Sequence, residues 1–115
     1  MNNFGIGVDC VDIHRFTNRK ENFIRKVFTK LEREYCINKS KPEQHFAGKF
    51  AAKEAVVKAL YSLNCAITVT EIEILNDKEG RPNVKIQQPF ASNFDIKISL
   101  SHSENTAIAV AIAIQ

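Results

Sequence analysis

Residues 46–60 read FAGKFAAKEAVVKAL, the longest strongly helical run in the chain. Alanine, leucine, lysine and glutamate are good helix formers, and Gly48 is the weak position. Just upstream, residues 40–43 read SKPE, a capping-box pattern with Pro42 near the first turn, where its missing N–H costs little. The sequence therefore predicts a helix from near residue 41 to about 62. At about 100° per residue, Phe46, Phe50, Val57, Leu60 and Tyr61 share one face. Ala47, Ala51, Glu54 and Lys58 form an adjoining strip, and Gly48, Ala52, Ala55 and Ala59 leave the rest nearly bare. Such bareness suits close approach of another backbone or of a ligand.

What packs on this helix is expected from the two ends of the chain. Residues 107–114 read AIAVAIAI, a strand with alanines on one face and Ile108, Val110, Ile112 and Ile114 on the other. An alanine face admits a helix closely, and the long helix is the natural partner. Residues 4–11 are short, apolar and β-branched, with Gly5 and Gly7, and predict a first strand. Asp9 interrupts it, and a carboxylate there needs a metal, a hydrogen bond or an ion pair such as Arg15. Asp12 is a candidate cap for a short helix over 12–16.

Between these anchors, residues 18–26 are polar and basic, with Phe23, Ile24 and Val27 as apolar points. The TKLE of 29–32 is a capping box that starts a helix to about residue 37. A strand over 68–75, a turn at 76–80 and a strand over 83–86 make one hairpin. Strands over 96–101 and 106–114, turning at 103–105, make a second. His102 falls just past the strand end, either bonded to the backbone or facing a ligand. Helices gather in the first half and strands in the second, apart from the first strand. That order argues an α+β fold, with the helices packed on a mainly antiparallel sheet. No linker, repeat or composition break interrupts residues 1–115, which read as one domain.

The net charge is +3, unevenly spread: residues 1–60 carry 12 Lys/Arg against 7 Asp/Glu, and the remainder 4 against 6. A basic half suits an anionic partner or a merely solvated surface. Cys10, Cys36 and Cys65 have no zinc-site spacing and read as reduced thiols of a cytoplasmic protein. The N-terminal decapeptide has no signal-peptide pattern, and no apolar run is long enough to span a membrane. A small basic nucleic-acid-binding domain is the main rival class. It would want stacking aromatics on its strands, and these strands have almost none.

Asp9 and Glu54 are the two carboxylates set in apolar or alanine-rich surroundings. Paired carboxylates suit Mg²⁺, which takes one or two of them plus water and phosphate oxygens. Lys58, one turn from Glu54, is either a phosphate contact or half of a surface Glu–Lys pair.

These blocks occur in order: GIGVD at 5–9, DIHRF at 12–16, FTKLE at 28–32, FAGKFAAKEAVVKA at 46–59, GRP at 80–82 and SLSHS at 99–103. Over essentially its whole length the chain resembles the holo-[acyl-carrier-protein] synthases, the small trimeric group of the 4′-phosphopantetheinyl transferases. The resemblance implies transfer of 4′-phosphopantetheine from coenzyme A to a serine of an apo acyl carrier protein, releasing adenosine 3′,5′-bisphosphate. It implies service to fatty-acid biosynthesis or a specialised pathway. By the same resemblance Asp9 and Glu54 hold Mg²⁺, and Lys58 and His102 meet the phosphates as catalytic groups. Lys49 stands where the family often has arginine and supplies charge without a bidentate fork. Gly80, Arg81 and Pro82 match the turn beside the adenine. Arg15, Arg19 and Arg25 match the surface that docks the acidic carrier protein. Glu54 or a metal-ordered water is the expected general base, with Glu32 a weaker candidate explained by its capping box. The implied assembly is a homotrimer with active sites between subunits. Many members carry a glycine-rich segment after the long helix, and residues 61–68 here contain no glycine. A catalytically inactive carrier-binding homologue is a further alternative, against which the retained Asp9, Glu54, Lys58 and His102 argue.

Overall fold

The computed structural model describes residues 3–115, with Phe90 described by its backbone alone. Met1 and Asn2 of the N-terminal decapeptide lie outside the described residues. The strands are β1 (Phe4–Asp12), β2 (Ile72–Asn76), β3 (Pro82–Ile86), β4 (Asp95–His102) and β5 (Thr106–Ile114). The helices are α1 (Glu21–Val27), α2 (Lys30–Ile37) and α3 (Pro42–Tyr61). Two antiparallel sheets result, one in the order β1-β5-β4 and one pairing β2 with β3. The architecture is α+β, as expected.

The long helix lies across the three-stranded sheet because both surfaces are stripped of side chains. Ala107, Ala109, Ala111 and Ala113 of β5 are buried, as are Ala47, Ala51, Ala52, Ala55 and Ala59 of α3. Gly5 and Gly7 of β1 come closer still. An added β-carbon at Gly5 would run into the Ala59 carbonyl oxygen, and one at Gly7 into that of Ala55. The opposite flank of α3 carries Phe46, buried in an aromatic cluster with Phe16 and Phe28. The helix is therefore covered on nearly every side, and the expected two-faced amphipathic helix is in fact a central one. Tyr61, placed on the apolar face by the sequence reading, is 73% exposed at the helix end.

Several local expectations need correction. The SKPE box does not form: Lys41 occupies the N-cap position without a side-chain bond. Asp12 likewise makes no cap bond to the 3-10 turn Ile13–Phe16. Residues in the basic stretch form α1, which lacks a side-chain cap. Val69–Glu71 is a 3-10 turn closed by its own Thr68–Glu71 box, so β2 begins only at Ile72. The TKLE box forms fully, with Glu32 N–H on Thr29 Oγ1 and Thr29 N–H on Glu32 Oε1. The glycine-free segment after α3 closes with Asn64 in the left-handed region, φ 62°. Cys65 N–H reaches the Leu60 carbonyl and Asn64 N–H reaches Tyr61. That is a Schellman closure with asparagine in glycine's place.

The other face of the large sheet is apolar and open. Phe4, Ile6 and Val8 of β1 are exposed, as are Ile108 and Ile112 of β5. The register sets Phe4 against Ile114, Ile6 against Ile112 and Val8 against Val110, so these side chains form one continuous patch.

Candidate functional site

A cleft of about 380 Å³ opens between the first turns of α3, the β2–β3 hairpin and the end of β4. Gln44, His45, Gly48 and Lys49 supply its helical wall, and Asn76, Gly80 and Pro82 the hairpin wall. Gly48 leaves room there, because a β-carbon would stand 3.3 Å from Leu100 Cδ2. Gly80 closes the turn with φ 86°, a conformation that favours glycine.

His102 is the last residue of β4 rather than a loop residue. Gln44 Nε2 lies 3.0 Å from His102 Nε2, and the amide nitrogen can only donate. In the neutral ring that contact places the proton on Nδ1, which faces the Ser103 carbonyl at 3.3 Å. Beside it, burial first and then the charges of Lys39, Lys49 and His102 hold His45 below its ordinary pKa. His45 also meets the Tyr35 ring edge-on, and the Lys39 and Lys49 ammoniums lie 4.5 and 4.6 Å from that ring's centroid. Lys49 is buried, not free. Its Nζ donates to the Ile74 carbonyl at 2.7 Å and to Asn76 Oδ1 at 2.8 Å. Burial lowers its pKa against the pull of nearby Cys36 and Glu32. Arg81 turns away from the cleft to Asp77 and Glu79.

A second constellation lies on the β1 flank of α3. Lys58 Nζ donates to the Val8 carbonyl at 2.9 Å and to Asp9 Oδ1 at 3.1 Å. Asp9 thus pairs with Lys58, not with Arg15 as the sequence allowed. Gly5 meets α3 at Ala59 and Gly7 meets it at Ala55, one turn back. The next inward residue, Asp9, accordingly comes level with the turn that holds Ala51 and Glu54. Glu54 is half-buried and carries no ion pair among the described residues. No group of three or more metal-ligating side chains occurs among the described residues. Asp9 and Glu54 are the two carboxylates on this flank, and carboxylate oxygens are the ligand type that a hard cation takes together with water and phosphate oxygens.

The two constellations do not merge within one chain. None of Asp9, Glu54 and Lys58 lines the cleft. Lys49 and Glu54 are five residues apart, about 7.5 Å along the helix axis, and point to different flanks.

Arg15 and Arg19 stack over Phe50 and Phe46, each 5.3 Å from the ring centroid. Arg25 pairs with Glu21 at 2.8 Å on the exposed face of α1. Arg19 and Arg25 also line a groove between α1 and α2 with Lys30 and Arg33. The sequence reading missed Tyr35, Gln44, His45 and Asn76 in the cleft. The signal for two of them was position: Gln44 and His45 lie one turn before Gly48 and Lys49. Glu32 is fully buried and paired with Lys53, so it is out of reach of a substrate.

The family model described as "4'-phosphopantetheinyl transferase superfamily" matches residues 5–113. The chain is 45% identical over 117 residues to the holo-[acyl-carrier-protein] synthase of Protochlamydia amoebophila, covering 94% of this chain and 95% of that one. Its structure is similar to the ACPS–CoA complex of Chronobacterium ammoniagenes, with TM-score 0.82, 28% identity and 96% of each chain covered. It is also similar to a holo-(acyl-carrier-protein) synthase from Bacillus anthracis in complex with CoA (3',5'-ADP), with TM-score 0.80, 27% identity and 96% of each chain covered.

Proposed function

The chain belongs to the 4′-phosphopantetheinyl transferase superfamily, among the holo-[acyl-carrier-protein] synthases, and from that premise we propose the following reaction. The enzyme transfers 4′-phosphopantetheine from coenzyme A to a serine of apo acyl carrier protein and releases adenosine 3′,5′-bisphosphate. What supports this most is the sorting of side chains into two sets: a cleft bearing Lys49, Gly80, Pro82 and His102, and, outside it, an Asp9–Lys58 ion pair with Glu54 one helical turn before Lys58.

Asp9 and Glu54 are the residues that would hold Mg²⁺, which when bound would neutralise charge on the pyrophosphate. Lys58 is half exposed, and its ammonium can leave Asp9 for a phosphate oxygen. The serine hydroxyl loses its proton to Glu54, or to a water that Glu54 orients, as its oxygen attacks the phosphorus next to pantetheine. The bond between that phosphorus and the bridging oxygen breaks, and adenosine 3′,5′-bisphosphate leaves with the electron pair. His102 presents its Nδ1 proton, or with Gln44 displaced its other nitrogen, to the phosphates. Arg81 stays outside the cleft and steers the anionic ligand from its rim.

The whole chain, 1–115, acts as one transferase domain in the cytoplasm, where its three thiols stay reduced; all three are free. It works as a homotrimer. The continuous apolar patch on the outer face of the large sheet supports this, because such a patch on a soluble chain marks an interface. So does the separation of the two constellations, which a neighbouring copy would reunite, the cleft of one against the carboxylates of the next. Arg15, Arg19 and Arg25 dock the acidic carrier protein, with the salt-sensitive encounter expected of such contacts.

The test offers the protein coenzyme A, Mg²⁺ and apo carrier proteins of fatty-acid and specialised pathways, and follows the nucleotide product by chromatography. Adenosine 3′,5′-bisphosphate should appear in step with holo carrier protein. No nucleotide product with any carrier would overturn the reading.

A further inference from the structure

We propose that the buried Glu32–Lys53 pair is a positioning device for coenzyme A: it fixes β2, and with it the hairpin turn, as the wall of the nucleotide cleft. The inference rests on the functional reading above.

In an antiparallel pair, alternate residues turn their backbone groups away from the partner strand. β2 pairs with β3 on one side only, so its other edge is open. Ile74 sits on that edge and is buried. Its N–H donates to Glu32 Oε2 at 2.7 Å, and its carbonyl accepts from Lys49 Nζ at 2.7 Å. A carboxylate and an ammonium thus stand where a third strand would offer a carbonyl and an N–H.

Glu32 is held in turn. Its Oε1 accepts from Lys53 Nζ at 2.6 Å and from Thr29 N–H at 2.8 Å. Lys53 also donates to the Val27 carbonyl at 2.7 Å, at the end of α1. Thr29 adds a second tie to β2, donating to Glu73 Oε2 at 2.5 Å. The end of α1, the start of α2, the middle of α3 and the edge of β2 therefore meet at one carboxylate. From there the bonds run outward without a break. Lys49 holds Asn76 Oδ1 at 2.8 Å, and Asn76 Nδ2 holds the Gly80 carbonyl at 3.0 Å. Ile74, Asn76, Gly80 and Pro82 all face the cleft.

Both members of the pair are fully buried. Two apolar residues of similar size would avoid the cost of desolvating two charges, but would leave the Thr29 and Ile74 N–H groups and the Val27 carbonyl without these partners. What the charges add is direction: they hold a strand edge at one height, which apolar packing does not. A preorganised wall raises affinity by lowering the ordering cost of binding.

Glu32→Leu alone would strand the Lys53 ammonium and destabilise the whole chain, so the test uses the double variant Glu32→Leu/Lys53→Met in the full-length protein. Removing both charges together leaves no stranded charge, and a thermal melt checks that the variant folds. Coenzyme A binding, read by calorimetry, should weaken roughly tenfold or more, and KM for coenzyme A should rise with it while kcat at saturation stays within about threefold. A purely structural pair predicts a melting shift with KM within about twofold of wild type, and that result overturns the proposal. A second measurement needs no variant and no coenzyme A. In hydrogen exchange on the intact protein, the Ile74 amide should exchange as slowly as the amides of mid-α3, although it faces the open edge of its sheet. Exchange as fast as in the exposed turn 77–80 overturns the anchor itself, and it decides the matter if the double variant does not fold. Should wild type bind no coenzyme A, the functional reading falls, whereas the exchange result still tests the anchor.

Discussion

Five residues apart on α3, two lysines pair with carboxylates from distant parts of the chain, and the two pairs share nothing but chemistry. Lys53 meets Glu32 at 2.6 Å with both side chains wholly out of water. Lys58 meets Asp9 at 3.1 Å, with the lysine side chain 52% exposed and the aspartate 19%. Inside, each charge must be answered where it stands, and Lys53 has the Val27 carbonyl and Glu32 while Glu32 has three donors. Breaking that pair is expensive, because what remains is an uncompensated buried charge. At the surface, water stands ready to replace either partner, and the pair contributes little to stability. A pair that is cheap to open can exchange its partner for a metal or a phosphate. On the proposed mechanism the sealed pair belongs to the scaffold and the open one to the reaction, and burial draws the line between them.

Variants can break or sharpen this contrast. Glu54→Gln, next to the open pair, should lower turnover by about a thousandfold, the range of a lost general base. The fold should remain, because Glu54 has no ion pair to lose; near-full activity in a carrier modification assay would contradict its assignment. Lys53→Ala should cost about 3–5 kcal/mol of stability, a large fraction of what a chain of this size has; urea denaturation reads it. Lys58→Ala inverts that pattern, with stability changed by less than about 1 kcal/mol. Its turnover should fall by about one to two orders of magnitude with the lost phosphate contact. Equal stability losses at the two lysines would erase the distinction. Ile112→Glu, on the outer face of the large sheet, should shift the proposed homotrimer towards monomers in light scattering and reduce activity, leaving the core untouched.

The smallest effect concerns pH. Burial and the neighbouring lysines hold the folded-state pKa of His45 below its ordinary 6.5. On acidification the unfolded chain takes up this proton first, so stability is lost as pH falls from about 6.5 towards the folded value and is fully present above it. His45→Phe keeps an aromatic partner for Tyr35 and should flatten the stability change as pH falls below about 6.5. An unchanged slope in urea midpoints would assign that change to other groups.

The same contrast separates what was legible in the sequence from what was not. The alanines of β5 and α3 announced their contact because small residues at two different periods mark surfaces built for each other. The Thr29 box was legible because its partners lie three residues apart. The Glu32–Lys53 pair was not: its members are 21 residues apart, and a lysine is seldom expected in a core. Burial also escaped for Lys49, read as supplying charge without a bidentate fork and found buried, holding β2. Asp9 was correctly marked as needing a partner, but the nearby Arg15 was the wrong one. Lys58 became the neighbour only once Gly5 and Gly7 had drawn β1 onto α3. The helix α1 was missed because Lys20 caps nothing and no apolar period runs long enough to outweigh its charges. The cleft draws on α2, α3, the hairpin and β4, and sequence order gives no hint of that convergence beyond the motif residues themselves.

Intact mass of an apo acyl carrier protein, taken after incubation with this protein and coenzyme A, tests the central claim most directly. With Mg²⁺ present the carrier should gain one phosphopantetheine arm on a single serine, and with the metal chelated it should gain none. A carrier whose mass is unchanged in Mg²⁺, or that is modified equally well after chelation, would contradict the assignment of the open Asp9–Lys58 edge and Glu54 as the reacting centre.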